Sequence, residues 1–390
     1  MTGAHAVVSA RGARRWADGH AWIFRSDIAV PPTAGAGAVA VRDQRGKPLG
    51  LALWSPQSEI SLRLLDPDPD AVIDASWWKR RIAVALARRA GLERDTNAFR
   101  LVHGEGDGLP SLVVDRYDRW LVLQLLSAGV EAFRDDIVEA LDALTECDGI
   151  LARNDASVRT REGLPRVVED IKNVVPDEIT VIEHGVRYLA APRTGQKTGA
   201  FLDQRENRVL IGAHATGRSL DLFSYHGSFA LHLARNSTSV TAVDSSAAAL
   251  TRGRQNAALN GATNIDFTEA DAFEFLRATE KNAEFDTIVV DPPAFAKNRA
   301  SIAGAVRGYR DLNMHAMRLL APGGLLFTAS CSYHLSKAAF LDMLRDAAAA
   351  SGRRMILREI TAQPLDHPEL LTVPETGYLK GALLEAVGPA

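Results

Sequence analysis

The chain has 390 residues, 46% of them hydrophobic and 24% charged, which is more than one ordinary core holds, so two or three domains are expected. A net charge of −3 argues against a surface that binds polyanions everywhere, and no apolar run approaches the roughly 20 residues needed to span a bilayer. The two cysteines, Cys147 and Cys331, are too few for a disulfide framework or a cysteine-rich metal site.

In chain order, residues up to about Leu65 read as short strands, Ala38–Arg42, Leu49–Trp54 and Glu59–Leu65, with a turn over Asp43–Gly46. Strands this short and closely spaced suggest a small β-barrel over residues 1–70. Asp66-Pro-Asp-Pro-Asp70 reads as a linker, because each proline forces its predecessor out of helix. A helix over Ala75–Ala90 follows, with Trp78, Ile82, Ala85 and Leu86 on one stripe. Strands Phe99–Val102, Ser111–Asp115 and Trp120–Leu126, a helix over Phe133–Leu144 and a hairpin over Ile179–Ala190 turning at His184-Gly185 give an α+β domain over residues 71–190. The basic clusters Arg11/Arg14/Arg15, Lys79/Arg80/Arg81, Arg88/Arg89 and Arg252/Arg254 read first as solvated surface and second as phosphate contacts.

From about Gly217 the rhythm becomes a regular alternation of strand and helix, the mark of a doubly wound α/β sheet, within a third domain over residues 191–390. The expected strands are Ser219–Phe223, Ser239–Val243, Ile265–Glu269, Thr287–Val290, Leu325–Ala329, Met355–Ile360 and Leu379–Val387. Such sheets bind ligands at the carboxyl ends of their strands. Three acids stand there in succession: Asp221, Asp244 and Asp271. Asp221-Leu-Phe223-Ser224-Tyr-His-Gly227 closes the first strand, and Gly227 permits a tight turn into the next helix. The glycine pattern of a dinucleotide site is absent. A nucleoside with a cationic amino-acid tail, S-adenosylmethionine, suits these acids better than a nicotinamide cofactor; Asp244 would accept from the ribose hydroxyls and Asp271 would lie beside adenine.

Two further motifs carry chemistry. Asp291-Pro292-Pro293-Ala294-Phe295 follows an apolar strand and offers a carboxylate with a rigid, aromatic-tipped turn that could hold a flat ring. Thr328-Ala-Ser-Cys331-Ser332 ends the next strand with a thiol. A nucleic-acid base methyltransferase is the reading. A buried strand-end cysteine, a turn aspartate and a core aromatic are the structural alternatives for Cys331, Asp291 and Phe295. His103 with Asp107, and His367 with Asp366, lack metal-ligand spacing, so no metal is expected.

These residues, with Gly19-His-Ala-Trp22-Ile-Phe24, Gly104 to Pro110, Val114 to Tyr117, Gly195-Gln-Lys197-Thr-Gly199-Ala-Phe-Leu-Asp-Gln204-Arg205 and His367-Pro through Tyr378-Leu-Lys-Gly381, form an ordered set nearly end to end. In that set the chain resembles the bacterial 23S ribosomal RNA cytosine-5 methyltransferase I family. The resemblance implies an N-terminal PUA-like barrel, a middle α+β domain and a C-terminal Rossmann-like methyltransferase domain. His226 and Ser228 around Gly227, and Tyr333 after Ser332, depart from the family pattern.

What the resemblance implies for the site is specific. Cys331 adds to C6 of cytosine and Asp291 holds its N3 and amino edge, while Pro292, Pro293, Phe295 and Lys197 meet the RNA. Gln204, Arg205, Asp221, Phe223, Ser224, Gly227, Asp244, Asp271 and Asp291 meet S-adenosylmethionine. Ala294 stands where many RNA cytosine-5 enzymes carry a second cysteine, so product release differs. The expected partner is 23S RNA or the assembling large subunit, in the cytoplasm, with monomer and homodimer both open. An N-terminus without the charged-then-apolar layout of a secretory signal fits that compartment. Methylation of a guanine or adenine nitrogen, and an RNA-binding or assembly protein without turnover, are the competing functions.

Overall fold

A computed structural model of the chain describes residues 5–279, 284–295 and 302–387. By compactness it divides into two units: residues up to Val181 with the returning segments Ala190–Leu202 and Leu365–Thr376, and the remainder.

The first unit contains a six-stranded sheet in the order Trp22–Ile23, Leu62–Asp66, Pro48–Trp54, Gly37–Asp43, His5–Val8, Ile28–Val30. Its buried face, with Val8, Ile23, Val41 and Leu62, follows from the alternation of apolar residues in strands too short to pair alone. A helix that the periodicity does not announce, Ala10–Ala17, is opened by Ser9, whose hydroxyl accepts from the Gly12 N–H at 3.2 Å. It carries Arg11 and Arg14 outward, and Arg11 donates to the buried Asp27.

The same unit holds a five-stranded sheet in the order Val167–Lys172, Gly149–Asn154, Trp120–Leu125, Leu112–Tyr117, Ala98–His103. Helices Ala75–Ala87 and Arg134–Thr145 pack with it into one core around the fully buried Trp78. The first of these helices stops three residues short of the expected Ala90 for a physical reason. Arg89 turns inward, its guanidinium donating twice to Asp107 at 2.7 Å and once to the Asp366 carbonyl at 2.8 Å. The Arg88/Arg89 cluster is thus not two solvated cations: Arg89 is a buried structural ion.

Between Ile179–Glu183 and Val186–Ala190 the hairpin turns where expected. His184 and Gly185 both take left-handed backbone, at φ +47° and +82°, as a two-residue primed turn requires.

In the second unit a seven-stranded sheet runs Ile265–Glu269, Ser239–Asp244, Arg218–Leu222, Phe285–Val290, Leu320–Ser330, Lys380–Ala386, Met355–Thr361. The first five are parallel and the last two antiparallel to their neighbours. Parallel strands covered on both faces need continuous apolar runs, and Ile288, Val289 and Val290 are all fully buried. Leu320–Ser330 begins earlier than expected because residues 321–324 bulge out between the pairs Phe285↔Leu320 and Thr287↔Leu325. Strand order reverses between Arg218–Leu222 and Phe285–Val290, which sets the crevice beside Asp221 and Asp291.

Candidate active site

The turn after Arg218–Leu222 is shaped by three left-handed residues, Phe223 at φ +62°, Tyr225 at +50° and Gly227 at +80°. Two of them are non-glycine, and such conformations persist only where the surroundings over-determine them. Tyr225 is held by its N–H, which donates to Asp244 Oδ2 at 2.8 Å, and the Ser224 N–H donates to the Val243 carbonyl at 3.0 Å. Gly227 is required twice: a Cβ there would be strained at this φ and would meet the Phe267 ring at 3.1 Å. Helix Ser228–Ala234 starts immediately after it.

Asp221 is fully buried on its strand. Oδ2 accepts from the Ala230 N–H at 2.9 Å, whereas Oδ1 has no partner. Burial pushes this carboxyl well above the usual range; the Ala230 N–H opposes the shift, and the nearby Asp291 and Asp244 add to it. The Ser224 hydroxyl, also buried, is likewise unpartnered. Unsatisfied buried polar atoms are uncommon. Here Asp221 Oδ1, the Ser224 hydroxyl and both ring nitrogens of His226 lie unpartnered between residues 221 and 226, and the first two stand at the switch point of the sheet.

Asp244 ends the second strand, with Oδ2 on Tyr225 N–H and Oδ1 on Ser246 N–H at 2.8 Å each. A carboxylate has about four lone-pair sites, so acceptors remain. Asp271 is exposed and caps helix Ala272–Thr279, its Oδ1 accepting from the Phe273 and Glu274 N–H groups at 2.9 and 3.1 Å. This acid therefore has a structural task that its sequence position does not reveal.

Asp291 stands one residue past Val290, whose partner in the parallel register is Thr328, three residues before Cys331. Gln204 Nε2 donates to Asp291 Oδ1 at 2.8 Å, and Gln204 Oε1 accepts from Asn207 Nδ2 at 2.6 Å. Gln204 and Asn207 are buried, so Asp291 is oriented by a relay that fixes which amide end faces it. Pro292 is buried and Pro293 exposed. Phe295 packs between Phe273, 6.3 Å between ring centroids, and Tyr309, 4.7 Å away. Its ring is thus part of a wall, with one portion accessible. Ala294 is exposed.

Arg205 is not a solvated loop cation: it is buried at the start of helix Arg205–His214 and donates to Glu206 at 3.0 Å. Lys197 belongs to the other unit, with φ +54° and its ammonium 4.8 Å above the Phe201 ring.

Cys331 is half-buried and outside any disulfide. Its neighbours are fixed. The Ser332 hydroxyl lies 2.9 Å from the Tyr309 hydroxyl, and Lys380 Nζ donates to the Ser332 and Tyr378 carbonyls at 2.7 Å each. Tyr378 in turn donates its hydroxyl to Asp203 at 2.8 Å. Gln204 therefore reaches the Asp291 turn, while its neighbour Asp203 reaches Tyr378. Burial pushes the Tyr309 phenol up, against hydrogen bonds from Ser330 and Ser332.

Behind the turn lies a closed ionic cluster that gives no sequence signal, because its members are spread over fifty residues. Glu183 accepts from Arg208 at 2.7 and 2.6 Å, from His232 at 3.0 Å and from Tyr188 at 3.1 Å. Burial alone would raise the Glu183 carboxyl; Arg208 and His232 outweigh it and hold it far below the usual range. Tyr188 stacks on His226, 5.3 Å between centroids, and burial beside Arg208 pushes the His226 imidazole down to about 3. His226 is a neutral packing group at the position where the family pattern has another residue.

Comparison with known proteins agrees with this geometry. A model of S-adenosylmethionine-dependent methyltransferases matches residues 100–379, and a model of PUA-like domains matches residues 7–67. A ribosomal RNA large subunit methyltransferase I from Shewanella amazonensis is 40% identical over 374 residues, 93% of this chain and 94% of that protein. Its counterpart from Aeromonas hydrophila is 41% identical over 379 residues, 94% and 95% of the two chains. The chain belongs to the ribosomal RNA large subunit methyltransferase I family. Its cofactor is S-adenosylmethionine. Solved structures share the fold: a SAM-dependent methyltransferase from Streptococcus mutans has 19% identity and a TM-score of 0.83 over 98% of this chain and 100% of that one. A methyltransferase complexed with SAH has 20% identity and a TM-score of 0.84 over the same shares. Among the described residues of this family member no helix is long and apolar enough to cross a membrane.

Proposed function

We propose that this methyltransferase modifies C5 of a cytosine in 23S ribosomal RNA, free or in the assembling subunit, through a bond between Cys331 and C6, in the cytoplasm. One observation carries the reading: a half-buried thiol and an oriented carboxylate end neighbouring parallel strands beside the cofactor turn. Nitrogen methylation needs the carboxylate but has no use for the thiol.

C5 of cytosine is a poor nucleophile. The Cys331 thiolate adds to C6, and the electron pair of the C5–C6 bond becomes available at C5. Asp291, with Oδ1 tied to Gln204, meets the N3 and amino edge and, as the carboxylic acid, donates its proton towards N3 as negative charge builds there. When bound, S-adenosylmethionine supplies the electrophilic methyl carbon. Asp221, Ser224 and Asp244 hold that cofactor by its polar ends, and Asp271 keeps one oxygen for the adenine side. Pro292, Pro293 and the accessible part of Phe295 form the ledge for the base. Transfer of the C5 proton to a base or to solvent then re-forms the double bond and expels Cys331 as a thiolate.

Cys331→Ser should leave SAH and RNA binding intact and lower methyl transfer by several orders of magnitude, since binding alone does not replace a nucleophile. RNA carrying 5-fluorocytosine should trap a covalent complex with the parent protein and none with the variant. Near-parental transfer by Cys331→Ser, with a methylated nitrogen found by nucleoside mass spectrometry, would overturn the assignment.

A further inference from the structure

Helix Ile302–Arg318 lies in the chain between the Asp291-Pro-Pro turn and the turn that carries Cys331. It buries Ala305, Tyr309, Leu312, Ala316 and Met317 along one stripe, as helical spacing requires. Tyr309 is fully buried there and carries a hydroxyl into the core. A buried phenol needs hydrogen-bond partners, because its lost hydration otherwise goes uncompensated.

Those partners are the two serines that flank the thiol. The Tyr309 hydroxyl lies 2.9 Å from the Ser332 hydroxyl and is also hydrogen-bonded to Ser330. Both serines are fully buried, and the Ser332 N–H donates to the Ser330 hydroxyl at 3.2 Å. Cys331 is thus the middle residue of a turn held at both neighbours by one phenol. The same hydroxyl reaches the Pro293 carbonyl at 3.5 Å, the outer limit of a hydrogen bond. Its ring packs on Phe295, 4.7 Å between centroids, and a Cβ on the adjacent Gly308 would stand 3.4 Å from that Phe295 ring. One side chain therefore touches both motif turns.

We propose that Tyr309 is a positioning residue for methyl transfer: its hydroxyl sets the thiol-bearing turn against the Pro293–Phe295 ledge on which the base would lie. The pairing of Val290 with Thr328 fixes where the two strands run, but the chain leaves the sheet soon after each of them. Turns beyond a strand end can shift by about an ångström without breaking a pair, and a reacting geometry tolerates less than that. Tyr309 meets neither base nor cofactor; it acts through Ser330, Ser332 and Pro293. This role rests on the cytosine-5 reading, since nitrogen methylation gives the thiol no task.

Tyr309→Phe in the full-length protein removes the hydroxyl and keeps the ring against Phe295. SAH binding, RNA binding and the KM for RNA should stay near parental. Single-turnover methyl transfer should fall about tenfold to a hundredfold, as expected when reacting groups are misplaced by about 1 Å. Covalent capture of 5-fluorocytosine RNA should slow by the same factor. A merely structural tyrosine would lower the unfolding temperature and leave both rates unchanged below it. Ser332→Ala, which removes one partner and leaves Tyr309 in place, should slow the same two rates. The double variant should be no slower than the slower single variant, because both changes break one contact. Parental rates in folded Tyr309→Phe overturn the proposal, as do losses that multiply in the double variant. If Tyr309→Phe does not fold, Ser332→Ala decides alone, and parental rates in it overturn the proposal. 5-Methylcytosine formed at the parental rate by Tyr309→Phe sinks the positioning role and leaves the cytosine-5 reading standing. A product methylated on nitrogen, with no covalent adduct from the parent protein, sinks both.

Discussion

Asp115 and Asp221 are both fully buried strand aspartates, one in each compact unit, yet their environments push them in opposite directions. At Asp115 burial raises the carboxyl, but the Arg100 charge and hydrogen bonds from Arg100 and Thr198 outweigh it and hold it low. Arg100 donates to both oxygens at 2.8 and 2.9 Å, and Thr198 adds a third bond at 2.6 Å. At Asp221 burial wins, with two further carboxylates nearby and one oxygen unpartnered. The difference teaches how to separate structure from function among buried acids. Asp115 is a saturated carboxylate inside a structural network; Asp221 is left with a spare acceptor at the switch point, where we propose the cofactor binds.

The comparison breaks most visibly at Arg100. Arg100→Met should strand Asp115 as an unpaired buried charge and cost about 3–5 kcal/mol of stability, read as a lower urea midpoint. The pH sign follows. The depressed Asp115 pKa contributes stability above the ordinary carboxylate pKa, and that contribution is lost as pH falls through its folded value. In Arg100→Met the acid loss should shrink, because Asp115 then gains from protonation. An urea midpoint within error of the parent would show that the pair does not hold the fold.

Asp244 tests the functional side. Its two backbone N–H partners shape the turn, and we propose that its spare acceptors meet the ribose. Asp244→Asn should preserve much of the turn, whereas Asp244→Ala should weaken S-adenosylmethionine binding by about 1.5–3 kcal/mol in calorimetry. RNA affinity should hardly change. Equal losses in both would make Asp244 a support of the fold.

The smallest effect sharpens the contrast most. A carboxyl whose pKa is raised contributes stability below the ordinary carboxylate pKa, and loses it as pH rises through the folded value. Asp221→Asn, which keeps an acceptor for the Ala230 N–H, should therefore stabilise the protein near neutral pH by about 1 kcal/mol while cofactor binding falls. A variant that is both less stable and less able to bind would place Asp221 with Asp115 among structural acids.

Much of the second unit was legible in sequence because its signals are local. Each strand of the parallel sheet is a short apolar run, and the acids and Gly227 sit at the run ends, so their place at one edge follows from the alternation alone. The hairpin at His184-Gly185 was equally legible, since two residues decide a primed turn. Other features were not. Asp271 and Asp291 look alike at strand ends, yet one caps a helix and the other is held by a glutamine 87 positions away. Arg89 sits in a basic cluster and reads as surface, while contacts to Asp107 and Asp366, far along the chain, bury it. The Tyr378-Leu-Lys380-Gly landmark stood out without a role, because nothing in it says that Lys380 folds back onto the Ser332 carbonyl.

The sequence by itself determined the fold class, the strand ends that carry the acids and the candidate thiol and carboxylate, because periodicity and turn chemistry act over a few residues. Tertiary structure alone decided which buried charges are satisfied and which are not, since a hydrogen-bond partner is chosen by proximity in space and leaves no mark on spacing along the chain.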